Sequence, residues 1–153
     1  MATPPSPPRY RPASVSLPAQ ERYVPIARRH VAGHLPAWSI SPADQDSVLL
    51  IIGELAANAA KHGRETMTIM VTASSRSLTI EVTDSGAKAP AQRQQPSEAE
   101  GENGRGLQIV ECLAHSVQYI ADTTATRVRV DYRLAAGPPP PSGSGRPPQG
   151  DRN

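Results

Sequence analysis

Phenylalanine is absent from this chain, and aromatic residues make up only 3% of its 153 residues. A core must therefore rest on Leu, Ile, Val and Ala. Cysteine occurs once, at Cys112, which excludes an internal disulfide and fits a reducing, cytoplasmic setting. That residue falls in an apolar helical pattern and reads as a small buried hydrophobe. Long apolar runs are missing too, since none reaches the roughly 20 residues of a membrane-spanning helix. The N-terminus lacks the apolar segment of a secretory signal. Charge of one sign is also scarce, with a formal net charge of +2. The two ends carry Arg9, Arg11, Arg146 and Arg152 against Asp151, a net +3, so the remainder stands near −1. A basic nucleic-acid footprint is therefore not expected of the folded part.

Proline is abundant instead, and it marks the limits of the fold. Of 17 prolines, six fall in residues 1–18 and six in residues 137–153. These ends carry almost no large apolar side chains and cannot bury enough surface to offset the entropy of ordering. They read as Pro-rich disordered tails, 1–18 and 137–153, around one domain over 19–136. A domain of that length can bury a real core.

Patterning within it is legible. Leu17-Pro18 closes a short first strand from about Ala13. Residues 21–35 read as a helix with Val24, Ala27, Val31 and Leu35 along one face. Ser41-Pro42 is a helix start, and Gly63 ends that helix. Met67, Ile69 and Val71 alternate with polar neighbours, as do Leu78, Ile80 and Val82, with a hairpin turn over Ser74 to Ser77. Residues 87–103 are polar and aperiodic, the pattern of a functional loop, here a lid. Residues 105–114 read as a helix and Val117 to Ile120 as a short strand. The clearest strand follows, with Thr126, Val128, Val130, Tyr132 and Leu134 alternating with charged residues. The expected fold is α+β, a two-layer α/β sandwich whose mixed sheet is covered on one face by helices.

Three segments carry chemistry. In the helix ending at Gly63, apolar residues from Val48 to Ala60 fill one broad arc. Glu54 and Asn58 stack one turn apart at its edge, with Lys61 and His62 beside them. A carboxylate and a carboxamide so placed can hold a hydrated Mg²⁺, which takes few protein oxygens and keeps its waters. They also suit a solvated helix face. The second segment is a strand ending in Asp84-Ser85-Gly86. Its carboxylate can accept from a ligand amine, and its glycine lets backbone approach a flat ring. A plain turn uses the same residues. In the third, Gly104-Arg105-Gly106-Leu107, two glycines open a helical pattern, as in a phosphate cradle.

In order and spacing these segments resemble the GHKL ATPase superfamily, the histidine kinase-like ATPases. The resemblance is to the anti-sigma-factor serine/threonine-protein kinase branch found in bacterial partner-switching systems, in its short actinobacterial form, and covers roughly residues 20 to 134. Glu54 to His62 looks like the N-box, Asp84 to Gly86 like the adenine-reading box, and Gly104 to Leu107 like the second glycine box. The resemblance implies the same sandwich fold with ATP and Mg²⁺ as cofactors. It implies that Glu54 is the catalytic base, that Asn58 is the metal ligand, and that Asp84 reads adenine with Gly86 under the ring. Gly104, Arg105, Gly106 and Leu107 would meet the phosphates, with Lys61 and His62 at the same site. Arg28 and Arg29 resemble a place where family members meet a partner. Where many relatives carry a Gly-Lys-Thr-like turn before the last strand, this chain has Ala125-Thr126-Arg127.

The implied activity is transfer of the ATP γ-phosphate to a serine of an anti-anti-sigma partner, together with binding of a sigma factor. The implied partners are proteins, with no nucleic acid or membrane and with a homodimer allowed. Two other classes stay open: a nucleotide-dependent binding module without kinase activity, and the separate catalytic domain of a split histidine kinase. Glu54 favours the first class, because a pure binder has less need of a base.

Overall fold

The computed structural model describes residues 10–88 and 100–135. The chain starts with strand β1 (Ala13–Pro18), a 3₁₀ turn (Glu21–Tyr23), helix α1 (Val24–Ala32) and a second 3₁₀ turn (Pro36–Trp38). Helix α2 (Pro42–Lys61), the hairpin strands β2 (Arg64–Ala73) and β3 (Ser77–Lys88), and helix α3 (Glu100–Leu113) follow. Strands β4 (Ser116–Ala121) and β5 (Ala125–Arg133) complete the domain. One sheet runs in the order β1-β2-β3-β5-β4.

The α+β sandwich is as expected, but among the described residues the sheet is not mixed: all four pairings are antiparallel. β3 and β4 do run parallel, joined through α3. β5 lies between them and pairs with both, so no parallel pair is formed among the described residues.

Alternation divides each strand between two faces. Met67, Ile69 and Val71 of β2, Leu78, Ile80 and Val82 of β3, and Val128, Val130 and Tyr132 of β5 are buried. They meet Val48, Ile51, Ile52 and Leu55 of α2 and Val110 of α3 in one core without phenylalanine. Each fully buried Val, Leu, Ile or Met among them contributes about 1.5–3 kcal/mol. The other face carries Thr68, Met70, Glu81, Thr83 and Arg127 around a shallow hollow.

α2 is the spine of the site, and both its ends are tied down. Ser41 is the N-cap, and its Oγ accepts from the Asp44 N–H at 3.2 Å and donates to Asp44 Oδ2 at 3.0 Å. Pro42 occupies the first turn, where its missing N–H costs nothing. Tyr132 Oη donates to the buried Asp44 Oδ1 at 2.7 Å, and the Ala135 N–H donates to Oδ2 at 3.1 Å. The start of α2 is thus pinned to the end of β5. Burial pushes the Tyr132 phenol above its ordinary pKa, and the hydrogen bond to Asp44 adds to the shift. At the other end Gly63, at φ +70°, turns the chain into β2.

Several expectations are corrected. Residues 13–18 are part of the domain rather than of a disordered tail, because Ala13 is fully buried and β1 pairs with β2 along its length. The helix expected over 21–35 is an α-helix only from Val24 to Ala32, flanked by 3₁₀ turns, and neither Pro25 nor Pro36 has an N–H to donate to the carbonyl four residues back. Ala27, Val31 and Leu35 are nevertheless buried as expected. Cys112 is exposed, not buried. α3 turns Leu107, Val110 and Leu113 toward the core, and Cys112 lies about 200° round the helix from Val110. α3 also begins at Glu100 rather than Arg105, because each residue added to a formed helix gains a backbone hydrogen bond. Residues 100–103, expected in the lid, are therefore helical. Residues 89–99 of that expected lid, and residues 1–9 and 136–153 of the tails, lie outside the described residues. Among the described residues, no helix is long and apolar enough to cross a membrane.

Candidate functional site

The C-terminal half of α2 places Glu54, Asn58 and His62 at four-residue steps along one stripe, about 12 Å from first to last at 1.5 Å per residue. Glu54 and Asn58 are half-buried at the edge of the core, flanked by the buried Leu55, Ala56 and Ala59. No hydrogen bond or ion pair among the described residues engages either side chain. Lys61 closes the helix as an exposed basic residue in its last turn, where the macrodipole favours it.

The two ends of the stripe meet two different elements. At the Glu54 end lies α3, where a Cβ on Gly106 would overlap Glu54 Oε2. The absence of a side chain at Gly106 is what leaves room for that carboxylate. At the His62 end lies β3, where His62 Nδ1 is 3.1 Å from Asp84 Oδ2. The Asp84 side chain is only 2% exposed, whereas that of His62 is 36% exposed.

Asp84 and Gly86 were expected at the end of a strand, and that strand continues past them. β3 runs on to Lys88, and its pairing with β2 shifts between Arg64↔Lys88 and Thr66↔Ser85. One residue of β2, Glu65, thereby faces two of β3, Gly86 and Ala87, which is a β-bulge. Gly86 takes φ +94° there, and a Cβ on it would lie 2.7 Å from Glu65 Oε2. Only glycine combines that φ with that approach.

The bulge also brings in a residue that sequence reasoning missed. Regular alternation back from Met67 would send Arg64 to the open face with Thr66 and Thr68. Instead Arg64 is buried and Glu65 exposed. Arg64 Nε lies 3.6 Å from Asp84 Oδ2, and Nη1 donates to the Gly86 carbonyl at 3.1 Å. The only advance sign of this was Gly86, a glycine inside a strand pattern.

The second glycine box sits differently from expectation. Gly104 and Gly106 lie inside α3 rather than at its opening. Gly106 thus serves as a close-approach residue for Glu54. Arg105 is exposed, and Leu107 packs against the core. Arg28 is exposed on α1, but its stem lies against α2, since a Cβ on Gly53 would be 3.2 Å from Arg28 Cδ. Among the described residues, no group of three or more His, Cys, Asp or Glu could hold a metal by itself. A cation at Glu54 and Asn58 would need oxygens from a ligand or water.

The structure thus brings Gly106 of α3 to Glu54 at one end of the α2 stripe, and Asp84 of β3, two residues before Gly86, to His62 at the other. It offers a buried acceptor at one end and a half-buried carboxylate at the other. Residues 17–132 match the family model for the histidine kinase-like ATPase domain. No curated protein matches the chain.

Proposed function

The chain belongs to the histidine kinase-like ATPase family, whose domain is an ATP-binding module, and from that premise we propose that it is a cytoplasmic protein-serine kinase of the anti-sigma type. It would pass the ATP γ-phosphate to a serine of an anti-anti-sigma regulator and bind a sigma factor as its second partner. One observation carries this reading: a single helical stripe links the buried Asp84 acceptor to Glu54 across a length suited to an extended nucleoside triphosphate.

In this reading Asp84 accepts from the adenine amino group and Gly86 lies under the ring. Phosphoryl transfer then needs positioning and charge neutralisation more than covalent help. Mg²⁺ fits the donor set, because Asn58 offers one amide oxygen with no competing partner among the described residues and Mg²⁺ completes its shell with phosphate oxygens and water. Bound there, it would neutralise phosphate charge. Lys61 and Arg105 add positive charge nearby. Glu54 accepts the proton of the attacking serine hydroxyl. The bond from serine oxygen to γ-phosphorus forms as the bond to the bridging oxygen of ADP breaks.

Radiolabelled γ-phosphate transfer to anti-anti-sigma candidates, with partner capture in parallel, tests the reading. Acid-stable label on a partner serine is the expected result. Acid-labile label would mark histidine phosphorylation and a split histidine kinase. Capture of a sigma factor or regulator without label would leave a nucleotide-dependent binding module.

A further inference from the structure

The Arg64 side chain is only 6% exposed. Its Nη1 is used by the Gly86 carbonyl, and its Nε, aimed at Asp84, is a buried donor with no hydrogen-bond partner. A buried guanidinium needs a reason, because an uncompensated charge in a core is strongly unfavourable. Nothing in the packing of β2 asks for arginine. Alternation would have put this residue on the open face, and the bulge at Gly86 turns it inward.

We propose that Arg64 is a positioning residue that makes Asp84 selective for a 6-amino purine over a 6-oxo purine. Adenine presents an N6–H₂ donor where guanine and hypoxanthine present an oxygen acceptor. A carboxylate accepts from the first and repels the second, whereas a carboxylic acid could donate to the second. The guanidinium only donates, and it keeps its proton under all ordinary conditions. What it faces must therefore accept. Asp84 Oδ2 faces both Arg64 Nε at 3.6 Å and His62 Nδ1 at 3.1 Å. Oδ2 is thereby committed to two nitrogens, which leaves Oδ1, with no partner among the described residues, to accept from the base. His62 alone does not secure this, because a histidine ring nitrogen can donate or accept. Arg64 also holds the Gly86 carbonyl, and so fixes the glycine that lies under the base. A charge and a backbone clamp thus come from one side chain.

This inference rests on the reading that Asp84 faces adenine, and the test separates the two. Calorimetry would measure Mg-ATP and Mg-ITP binding to the full chain, to Arg64→Met and to Arg64→Lys, with circular dichroism checking the fold of each. The wild type is expected to favour ATP by about tenfold or more, the scale of a charge-assisted hydrogen bond. Arg64→Met is expected to lose about tenfold in ATP affinity and most of the preference. Arg64→Lys keeps the charge without the reach to both partners, and is expected to recover preference more than affinity. A folded Arg64→Met that keeps the wild-type ATP-to-ITP ratio overturns the proposal. Should Arg64→Met fail to fold, Arg64→Lys decides, because complete loss of preference there shows that the charge does not set it. A wild type that binds neither nucleotide overturns the ATP reading itself.

Discussion

Gly106 of α3 and Glu54 of α2 occupy one another's space, in that any side chain on the glycine would overlap the carboxylate. Two helices that are distant in sequence therefore meet at the residue proposed as base. The obstructing atom is the far end of a flexible side chain. Gly106→Ala is then expected to displace Glu54 rather than unfold the domain. Alanine gains about 1 kcal/mol over glycine in a helix interior, which offsets the crowding. Denaturant unfolding should change by less than about 1 kcal/mol, while phosphate transfer falls steeply. A large loss of stability with normal transfer would show that α3, not Glu54, gives way.

Glu54 and Asn58, one turn apart on α2, should separate by role. Asn58→Ala is expected to abolish the Mg²⁺ dependence of nucleotide binding. Glu54→Ala should leave binding nearly intact and lower transfer by about 10²–10⁴-fold, the range of a general base. Calorimetry and single-turnover kinetics read the two effects separately. Equal loss of binding in both variants would contradict the assignment.

The buried contact from Tyr132 to Asp44, at 2.7 Å, anchors the start of α2. Tyr132→Phe removes a donor to a buried carboxylate, and should cost about 1–3 kcal/mol in urea unfolding. Asp44 keeps its hydrogen bonds from Ser41 and Ala135, so the helix should persist. Nucleotide affinity should hold, because the contact lies at the end of α2 away from His62 and Asp84.

Asp122 closes the turn between β4 and β5, with Oδ1 accepting from the Thr124 N–H, the Thr124 hydroxyl and the Ala125 N–H. The Thr124 N–H, first among these contacts, lowers its pKa below the ordinary 3.8. A folded-state pKa below the unfolded value means that the carboxylate stabilises the fold above the unfolded pKa. That contribution fades as pH falls through the folded one. Asp122→Ala should therefore lower the melting temperature at neutral pH, and the gap from wild type should narrow below about pH 4. A gap that is constant from pH 7 to pH 2 would count against this.

Legibility followed the range of each interaction. The apolar arc of α2, its Ser41 cap and the Gly63 stop are local, and all three were readable and are present. The strand alternation of β2, β3 and β5 was readable for the same reason. Two local readings failed where a tertiary contact overruled them. Cys112 sits in an apolar-looking helix, but only the stripe through Val110 reaches the core. Asp84-Ser85-Gly86 reads as the end of a strand, yet continued pairing with β2 carries that strand on to Lys88.

What the sequence by itself determined is the content of each element: which residues α2 lines up at one-turn spacing, and which side chains each strand offers to the core. Helix pitch and strand pleat have fixed periods, so a residue's neighbours on its own element follow from counting. Only the tertiary structure decided which elements share a boundary. Arg64 and the Gly86 carbonyl it holds lie 22 residues apart, and they meet because the β2–β3 register slips at a bulge. Gly106 meets Glu54 because α3 lies across α2. Register and helix placement are settled by the packing of the whole core, and no local period carries them.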